Sequence, residues 1–319
     1  MLKEAIGISV LLVAYNHEKH IRQALNSLFG QVFDGIIELV VADDKSTDRT
    51  LSIIKEYEGA DSRFIFKYLD CSENLGITQN YKRGFAACTS EFVAVLEGDD
   101  YWISPRKLQR QVCFLTEHWE ADVCSVNYYV YEEDRAQLSP RVPPSAGHRF
   151  ISARELIADN VVGNFSTCMY RRSALNRLPE GLFDIKSYDW ITNIVLARTS
   201  LIGFLEEPMS VYRLHGSGVW TKTPHLDKLK TQLAILPAYD SLTDNVFHDD
   251  FERLSNHLRH TISVAQLGHV AESVGKPVFR VIPTLVSLMP PLFIMVIKLL
   301  VPVPVMNLLA RVVKRSRSV

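Results

Sequence analysis

The stretch Phe92-Val93-Ala94-Val95-Leu96-Glu97-Gly98-Asp99-Asp100-Tyr101-Trp102 decides how this chain folds. Its first five residues are apolar, and a short apolar run of this kind predicts a buried strand. Ligands of open α/β sheets bind at the carboxyl ends of strands, which is where Asp99 and Asp100 follow. A carboxylate beside a core needs a partner, and a divalent cation that bridges carboxylates to phosphates is a suitable one. The pair therefore predicts a metal and phosphate site; capping of a helix that begins near Ser104-Pro105 is the alternative.

Strand-like and helical patterns alternate on the amino-terminal side of this stretch. The predicted strands are apolar on both faces and span residues 6–14, 36–42, 64–69 and 92–96. Such strands are typical of parallel sheets that helices cover on both sides. The sequence thus predicts an α/β fold with a doubly wound, mostly parallel sheet. Asn16 is predicted to cap the first helix, and a later helix is predicted at 77–87.

Polar residues lie just beyond the end of each predicted strand. They are Tyr15-Asn16, Asp43-Asp44, residues 74–76 and Asp99-Asp100. Because the carboxyl ends of parallel strands share one edge of a sheet, these residues are expected to converge on one crevice. No G-x-G-x-x-G follows the first strand and no glycine-rich Lys-Ser/Thr loop occurs, which disfavours dinucleotide-binding and P-loop folds.

The alternation is weaker in the second half of the chain. Helices are predicted at 105–118, at 153–158 and from Ser173 onward. Another helix is predicted to open at 183–190 and to run through 198, and two more are predicted within 226–268. Strands are predicted at 122–131, 167–170, 201–205 and 210–214. Residues 132–149 hold three prolines and mixed charge, which predicts a loop, either a lid over the crevice or an ordinary surface excursion.

Composition excludes several classes of protein. Hydrophobic residues make up 47% of the 319, which is enough for a substantial core. The formal net charge is −1, and no basic cluster is interleaved with aromatic residues, so nucleic acid is not an expected partner. The five scattered cysteines indicate neither a zinc site nor a disulfide framework. Without the features of a signal peptide at its start, the chain is predicted to be cytoplasmic.

The carboxyl-terminal tail differs in character from the rest. Between residues 281 and 310 the only charge is Lys298, five prolines interrupt the apolar sequence, and four basic residues follow. The prolines leave pieces too short for a clean membrane span. An in-plane anchor on the inner face of the cell membrane, with the basic end toward anionic headgroups, is predicted. Packing of the tail on the domain, or on a second copy in a homo-oligomer, is the alternative.

Five segments in this order resemble the family 2 glycosyltransferases of the GT-A fold. They are residues 8–16 (ISVLLVAYN), 40–48 (VVADDKSTD), 74–76 (NLG), 98–102 (GDDYW) and 212–215 (YRLH). The resemblance implies a GT-A domain over residues 1–220, with a nucleotide-binding half at 1–102 and an acceptor half at 103–220. A helical extension at 221–275 and the apolar tail at 276–319 would follow.

The resemblance also implies roles for individual residues in binding the nucleotide sugar. Ala14, Tyr15 and Glu18 match the first nucleotide-contacting turn of the family. Asp43 matches the acidic residue that hydrogen-bonds the base, and Asp99 would lie near the ribose and the sugar. The remaining members of the expected donor-binding set are Asn74, Gly76 and Arg213. Tyr15 has the alternative of merely packing, and Arg213 that of pairing with a surface acid.

Metal and catalytic roles follow from the same resemblance. Asp100 corresponds to the carboxylate that binds Mn²⁺ or Mg²⁺, and His215 to a histidine that is sometimes a metal ligand. Asp189, in the segment Tyr188-Asp189-Trp190, lies where the family keeps its catalytic base. A helix cap at Asp189 and a backbone-satisfied loop histidine at His215 are the alternatives. The sequence departs from many relatives at residues 81–84 (YKRG), which puts the usual base contact there in doubt.

The chemistry of sugar transfer fits these residue types. A divalent cation and an arginine can stabilise the charge that forms on a leaving diphosphate. Attack from the opposite face needs one carboxylate to take the acceptor proton, so a single base and inversion belong together. The predicted enzyme is a hexosyl- or hexosaminyltransferase that adds one sugar, by default from a UDP-sugar, to a lipid-linked or surface-polysaccharide acceptor. Nucleotidyl transfer and a non-catalytic sugar-nucleotide-binding subunit are the other hypotheses.

Overall fold

The structure, a computed structural model, describes residues 7–185, 189–216, 218 and 223–273. Its strands are β1 Ile8–Ala14, β2 Ile37–Asp43, β3 Phe64–Tyr68, β4 Phe92–Glu97, β5 Tyr101–Trp102, β6 Ala121–Glu132, β7 Gln137–Pro140, β8 His148–Ile151, β9 Cys168–Arg171 and β10 Leu201–Leu214. Its α-helices are α1 Ile21–Phe29, α2 Thr50–Lys55, α3 Ile77–Ala87, α4 Lys107–Glu117, α5 Ala153–Ala158, α6 Arg172–Leu175, α7 Asp189–Leu196, α8 His225–Leu242 and α9 His248–Ser273. Short 3₁₀ turns lie at Glu133–Arg135, Phe165–Thr167 and Glu180–Phe183.

The described strands form one sheet in the order β3-β2-β1-β4-β9-β6-β10-β5, with β7 beside β6 and β8 beside β10. β1 pairs in parallel with β2 and β4, β2 with β3, and β10 with β6. β9 joins the two halves as an antiparallel strand between β4 and β6. The predicted α/β fold with a mostly parallel, doubly wound sheet is confirmed.

Apolar residues alternate between two cores on opposite faces of the sheet. In β1, Leu11 faces the core that α3 covers, whereas Leu12 faces the core that α1 covers. Burying such a side chain contributes about 1.5–3 kcal/mol each, so a continuous apolar strand stabilises both layers at once. Gly84 lets α3 approach β1 closely, because a Cβ there would lie 2.5 Å from a methyl carbon of Leu11.

Three local predictions were wrong. Residues 132–149 are not simply a loop, since β7 and β8 lie there and pair with β6 and β10. The strands predicted at 201–205 and 210–214 form one strand, β10. Its pairing with β6 changes register on both sides of Pro208, and these bulges accommodate the polar residues between the two predicted strands. Asn16 does not cap α1, which begins at Ile21; its φ is +56° and its side-chain oxygen accepts from the Thr47 N–H at 2.8 Å.

The chain divides into two compact units after Leu258, and the first holds the entire sheet. Of the second unit the structure describes residues 259–273, which continue α9. Among the described residues, no helix combines the length and the apolar character that crossing a membrane requires. The predicted tail anchor at 276–319 lies outside the described residues, and the predicted domain boundaries stay predictions.

Candidate active site

The carboxyl ends of β2, β1 and β4 lie side by side and form the floor of the site. In the register of the sheet, Ala14 lies opposite Asp43 and Val13 opposite Glu97. Neighbouring strands are about 4.8 Å apart, so Asp43 and Glu97 are separated by about 10 Å across β1. The turn after β4 packs tightly on the loop after β1, because a Cβ on Gly98 would lie 2.8 Å from Nδ1 of His17. A larger residue at this position would require the side chains of His17 and Ile21 to shift.

Asp99 is the acidic residue of this turn that reaches the open side. Its Oδ2 lies 3.0 Å from Nε2 of His215 and 3.7 Å from Nε2 of His17, and 24% of its side chain is exposed. Burial alone would raise the pKa of Asp99, but the two histidines outweigh it and the pKa lies below its ordinary value. Asp99 is therefore an anion at the edge of the crevice.

Asp100 lies on the protein side of the same turn and is 1% exposed. Its Oδ1 accepts from the backbone N–H of Arg213 at 2.9 Å. Burial, with the charges of Asp99 and Glu97, raises the pKa of Asp100 well above its ordinary value. α4 begins at Lys107 without a side-chain cap, so neither aspartate caps that helix and the capping alternative is wrong.

Arg213 is 6% exposed, and its guanidinium already has partners. Nε donates to the carbonyl of Asp99 at 2.9 Å, Nη2 to Gln23 Oε1 at 2.5 Å, and Nη1 to Glu133 Oε1 at 3.3 Å. The rings of Tyr101 and Tyr131 flank it, at 5.2 and 5.6 Å from its Cζ. The arrangement matches the acid-paired alternative for Arg213, and contact with a diphosphate would require it to give up one of these bonds.

One group of described side chains has the composition of a metal site. Ligand atoms of His20, Glu133 and His215 lie within 4.8 Å of one another, and the two imidazole rings meet edge to face at 4.7 Å. Burial, together with the charge of Arg213, lowers the pKa of His20 to about 4. A neutral imidazole is the form that binds a metal. His20 and Glu133 had no local sequence signal, since the three residues are far apart in the chain.

The far side of the crevice is built around Asp43 and Asp44. Asp43 Oδ2 accepts from the Ser46 N–H at 3.0 Å. Asp44, which the sequence predicted at the crevice without a specific role, accepts from the N–H groups of Leu75 and Gly76 at 2.8 and 2.9 Å. Asn74 Nδ2 donates to the Asp44 carbonyl at 3.0 Å. The predicted residues Asn74 and Gly76 are thus brought to the end of β2 by Asp44.

The departure at residues 81–84 has a structural counterpart in α3. Arg83 donates from Nη2 to the Asp43 carbonyl at 2.7 Å and from Nη1 to the Asp70 carbonyl at 2.9 Å. Its Nε donates to Asn80 Oδ1, and Asn80 in turn donates to the Ala42 carbonyl at 2.8 Å. The helix therefore fixes the backbone beneath the predicted base-binding residue.

The first turn after β1 contains the other predicted nucleotide contacts. Ala14 ends β1, and its carbonyl accepts from the Asp44 N–H at 2.9 Å. Tyr15 is 45% exposed, which argues against a role in packing alone. Glu18 accepts from the Arg49 N–H at 3.2 Å and pairs with the guanidinium of Arg49, so its carboxylate already fastens this turn to the loop before α2.

Asp189 is the first residue of α7, and its Oδ2 accepts from Asn160 Nδ2 at 2.9 Å. Burial raises the pKa of Asp189 to about 7, against the opposing effect of the Asn160 hydrogen bond. Glu97, which accepts from the Tyr81 hydroxyl at 2.7 Å, has a pKa raised to about 8 by burial, then by Asp99 and also by Asp189.

The sequence matches the model of the family described as glycosyl transferase family 2 over residues 9–178, so the chain belongs to this family. It is 35% identical over 213 residues to the Mycobacterium tuberculosis H37Rv protein Rv1520, a match that covers 67% of this chain and 60% of that one. It is 29% identical over 222 residues to the glycosyltransferase alr2836 of Nostoc sp. PCC 7120, covering 66% and 65% of the two chains. The match thus spans less than two thirds of either relative.

Two solved structures share the fold. Staphylococcus aureus TarS 1–349 in complex with UDP-GlcNAc is similar with a TM-score of 0.54 and 22% identity, over 74% of this chain and 70% of that one. The mannosyltransferase PcManGT from Pyrobaculum calidifontis, in complex with GDP-Man and Mn²⁺, has a TM-score of 0.59 and 15% identity, over 90% and 81%. The fold is therefore that of the GT-A glycosyltransferases.

Proposed function

We propose that the chain is a metal-dependent, inverting glycosyltransferase that moves one sugar from a nucleotide sugar to a hydroxyl of a lipid-linked or surface-polysaccharide acceptor. The observation that supports the proposal is the arrangement at the carboxyl edge of the sheet, where β1 pairs with β2 and β4 and Asp99 Oδ2 lies 3.0 Å from His215 Nε2. Asp99 is suited to the donor's diphosphate and metal, and Asp189 to the acceptor's proton. A UDP-sugar is the default donor, and the bound donors of TarS and PcManGT are of the same chemical class.

The donor would lie along the carboxyl edge of the sheet. Its base would contact Asp43, with Asn74 and Gly76 beside it, and its diphosphate would lie at Asp99. The separation of about 10 Å between the ends of β2 and β4 suits a nucleoside diphosphate that spans two strand spacings. Exposed Tyr15 lies after β1, between these two ends, where it can cover the nucleotide.

The residues present fit a divalent cation such as Mn²⁺. Asp99 and His215, 3.0 Å apart, supply the carboxylate and imidazole ligands that Mn²⁺ accepts, with His20 and Glu133 beside His215. When bound, the metal would neutralise the charge on the leaving diphosphate. The predicted ligand Asp100 stays in the proposed metal site, because its buried Oδ2 has no hydrogen-bond partner among the described residues and a bound cation would satisfy it. Its Oδ1 and the Nε of Arg213 would hold the Asp99 turn through the bonds described above.

Asp189 is the proposed base. The acceptor oxygen forms a bond to the anomeric carbon, the bond from that carbon to the diphosphate oxygen breaks, and the hydroxyl proton moves to Asp189. The configuration inverts because attack and departure occur on opposite faces. A pKa of about 7 leaves a large share of Asp189 ionised near neutral pH, and it matches a base that must accept and then release a proton.

The test measures release of nucleoside diphosphate from UDP-GlcNAc, other UDP-sugars and GDP-Man, with Mn²⁺ or Mg²⁺ and a panel of glycan and lipid-linked acceptors. Asp189→Asn is expected to lower kcat by about 100-fold or more while donor binding by calorimetry is kept. The matched control is Asp227→Asn, an exposed aspartate on α8. Full activity in Asp189→Asn would refute the assignment. Donor binding without turnover on any acceptor would support the non-catalytic alternative.

The remaining partners belong to the same proposal. The acceptor, a second copy of the chain and the membrane surface are proposed from the sequence alone. Location on the cytoplasmic side of a membrane is proposed on the same basis.

A further inference from the structure

The side chain of Asn160 links the proposed base to a turn between α5 and the Phe165–Thr167 3₁₀ turn. Its Nδ2 donates to Asp189 Oδ2 at 2.9 Å and to the Gly163 carbonyl at 3.2 Å. Its Oδ1 accepts from the Gly163 N–H at 3.3 Å. All three bonds together occupy both amide protons and the amide oxygen.

These partners fix which way the amide points. With the nitrogen and oxygen exchanged, the amide oxygen would face both the Asp189 carboxylate and the Gly163 carbonyl, and the NH₂ would face the Gly163 N–H. Each contact would then place an acceptor against an acceptor or a donor against a donor. The polar groups would be left without hydrogen bonds, and their desolvation would cost free energy. Asn160 must therefore present N–H, and not oxygen, to Asp189.

The turn that carries Asn160 is held rigidly. Gly163 has a φ of +85°, and a Cβ there would lie 2.1 Å from the hydroxyl oxygen of Tyr128, so only glycine fits. The neighbouring Val162 is fully buried, and its carbonyl accepts from the Thr167 hydroxyl at 3.0 Å. The backbone thus cannot carry the amide of Asn160 away from Asp189 without disrupting buried contacts.

We infer that Asn160 is a positioning residue for the reaction: it holds Oδ2 of Asp189 and leaves Oδ1 to receive the acceptor's proton. The inference rests on the proposed function, in which Asp189 is the base. A carboxylate held at one oxygen keeps a single orientation, and a correctly oriented base is worth far more than a freely rotating one.

The surroundings of Asp189 define the expected pH dependence. Among the residues that the structure describes, the titratable groups whose pKa Asp189 influences are Glu97, Tyr81, Tyr128, Cys168, Tyr170 and Tyr212. Burial raises the pKa of each of these tyrosines and of Cys168, so they stay neutral over the working range. Glu97 is the acidic neighbour, and the charge of Asp189 is among the causes that raise the pKa of Glu97 to about 8. The Asn160 amide is the side-chain donor that favours the ionised form of Asp189.

The experiment measures kcat between pH 5.5 and 9 for the wild type, Asn160→Leu and Asn160→Asp. Leucine keeps the size of asparagine without a donor, and aspartate keeps its shape while replacing the donor with an acid. Removal of a hydrogen bond to a carboxylate raises its pKa, so the acid limb of the profile should move to higher pH by about one unit or more in both variants. Donor affinity should stay within about twofold, because the hydrogen bonds of Asn160 go to Asp189 and Gly163 and not to the residues proposed to hold the donor.

The control is Asn176→Ala, which changes an exposed asparagine after α6 and should leave the profile in place. An acid limb that stays at its wild-type pH in Asn160→Leu or Asn160→Asp, whether or not kcat falls, would overturn the inference and leave Asn160 a structural residue. If one variant does not fold, the other decides. Failure of the proposed function is seen separately, because Asp189→Asn would then remain active.

Discussion

Replacement of Lys107 by methionine is expected to remove a large part of the pH dependence of stability. Lys107 is completely buried at the start of α4; its Nζ donates to Gln111 Oε1 at 2.8 Å and lies 4.2 Å from the centre of the Trp102 ring. The Trp102 indole donates to the Ser166 carbonyl, and the Ser166 hydroxyl accepts from the Glu97 N–H. The lysine therefore lies beneath the turn that carries Asp99.

Burial lowers the pKa of Lys107 from 10.5 to about 7. Between these pH values the amine of Lys107 binds a proton in the unfolded chain and not in the folded chain, so the free energy of unfolding rises with pH from about 7 toward 10.5. Below pH 7 the buried Lys107 destabilises the folded chain to the full extent. For a single group with these pKa values, the free energy of unfolding should increase by about 3 kcal/mol between pH 7 and pH 9.5. Other titrating groups contribute equally to wild type and variant.

The assay is urea unfolding of wild type and Lys107→Met at pH 7 and pH 9.5, followed by tryptophan fluorescence. Methionine has a similar volume and no charge, so the core can stay packed. The difference in unfolding free energy between the two proteins should change by about 3 kcal/mol over this interval, with the variant relatively more stable at pH 7. An unchanged difference would mean that Lys107 is not buried as a neutral amine, and the reasoning would be refuted.

Two further substitutions test the packing of α3 and the base-binding side. Gly84→Ala places a Cβ 2.5 Å from Leu11 and should lower the unfolding free energy by about 1–3 kcal/mol in urea titrations, whereas equal stability would contradict the close contact of α3 with β1. Asp44→Ala releases the N–H groups of Leu75 and Gly76 and should weaken UDP binding by about tenfold or more in calorimetry. Unaltered UDP affinity in this variant would show that the 74–76 segment does not contribute to the donor site.

The sequence predicted the amino-terminal half of the sheet closely. The predicted bounds of β1 to β4 and of α3 lie within two residues of the observed bounds. Continuous apolar runs bounded by polar turns allow only one interpretation of the local pattern. β7 and β8 were missed because they are short and lie in a proline-containing segment. They exist through pairing with β6 and β10, and the local sequence carries no sign of that pairing.

The candidate site was predictable where it depends on strand ends and not where it depends on distant partners. Asp43 ends β2, Asn74 and Gly76 follow β3, and Asp99 follows β4; the parallel topology brings these strand ends to one edge. Glu133 and Asn160 matter through contacts with residues 80 and 29 positions away, which no local pattern encodes.

The different surroundings of Asp99 and Asp100 could not be predicted from the sequence. The two carboxylates are adjacent, and only the path of the turn decides which one is exposed. Gly98 allows that turn to pack against His17. The Asp100 carboxylate points into the protein, where its Oδ1 accepts from the backbone N–H of Arg213. The partners of Arg213 were equally hidden, because Gln23 and Glu133 come from separate parts of the chain.

The most direct test of the account is the affinity of Mn²⁺ in the presence of UDP, measured by electron paramagnetic resonance for Asp99→Asn and Asp100→Asn. Loss of the ligand in Asp99→Asn should weaken Mn²⁺ binding by at least about tenfold. Asp100→Asn should weaken it as well, because the buried Oδ2 of Asp100 has no hydrogen-bond partner among the described residues and is available to a bound cation. Wild-type Mn²⁺ affinity in both variants would contradict the assignment.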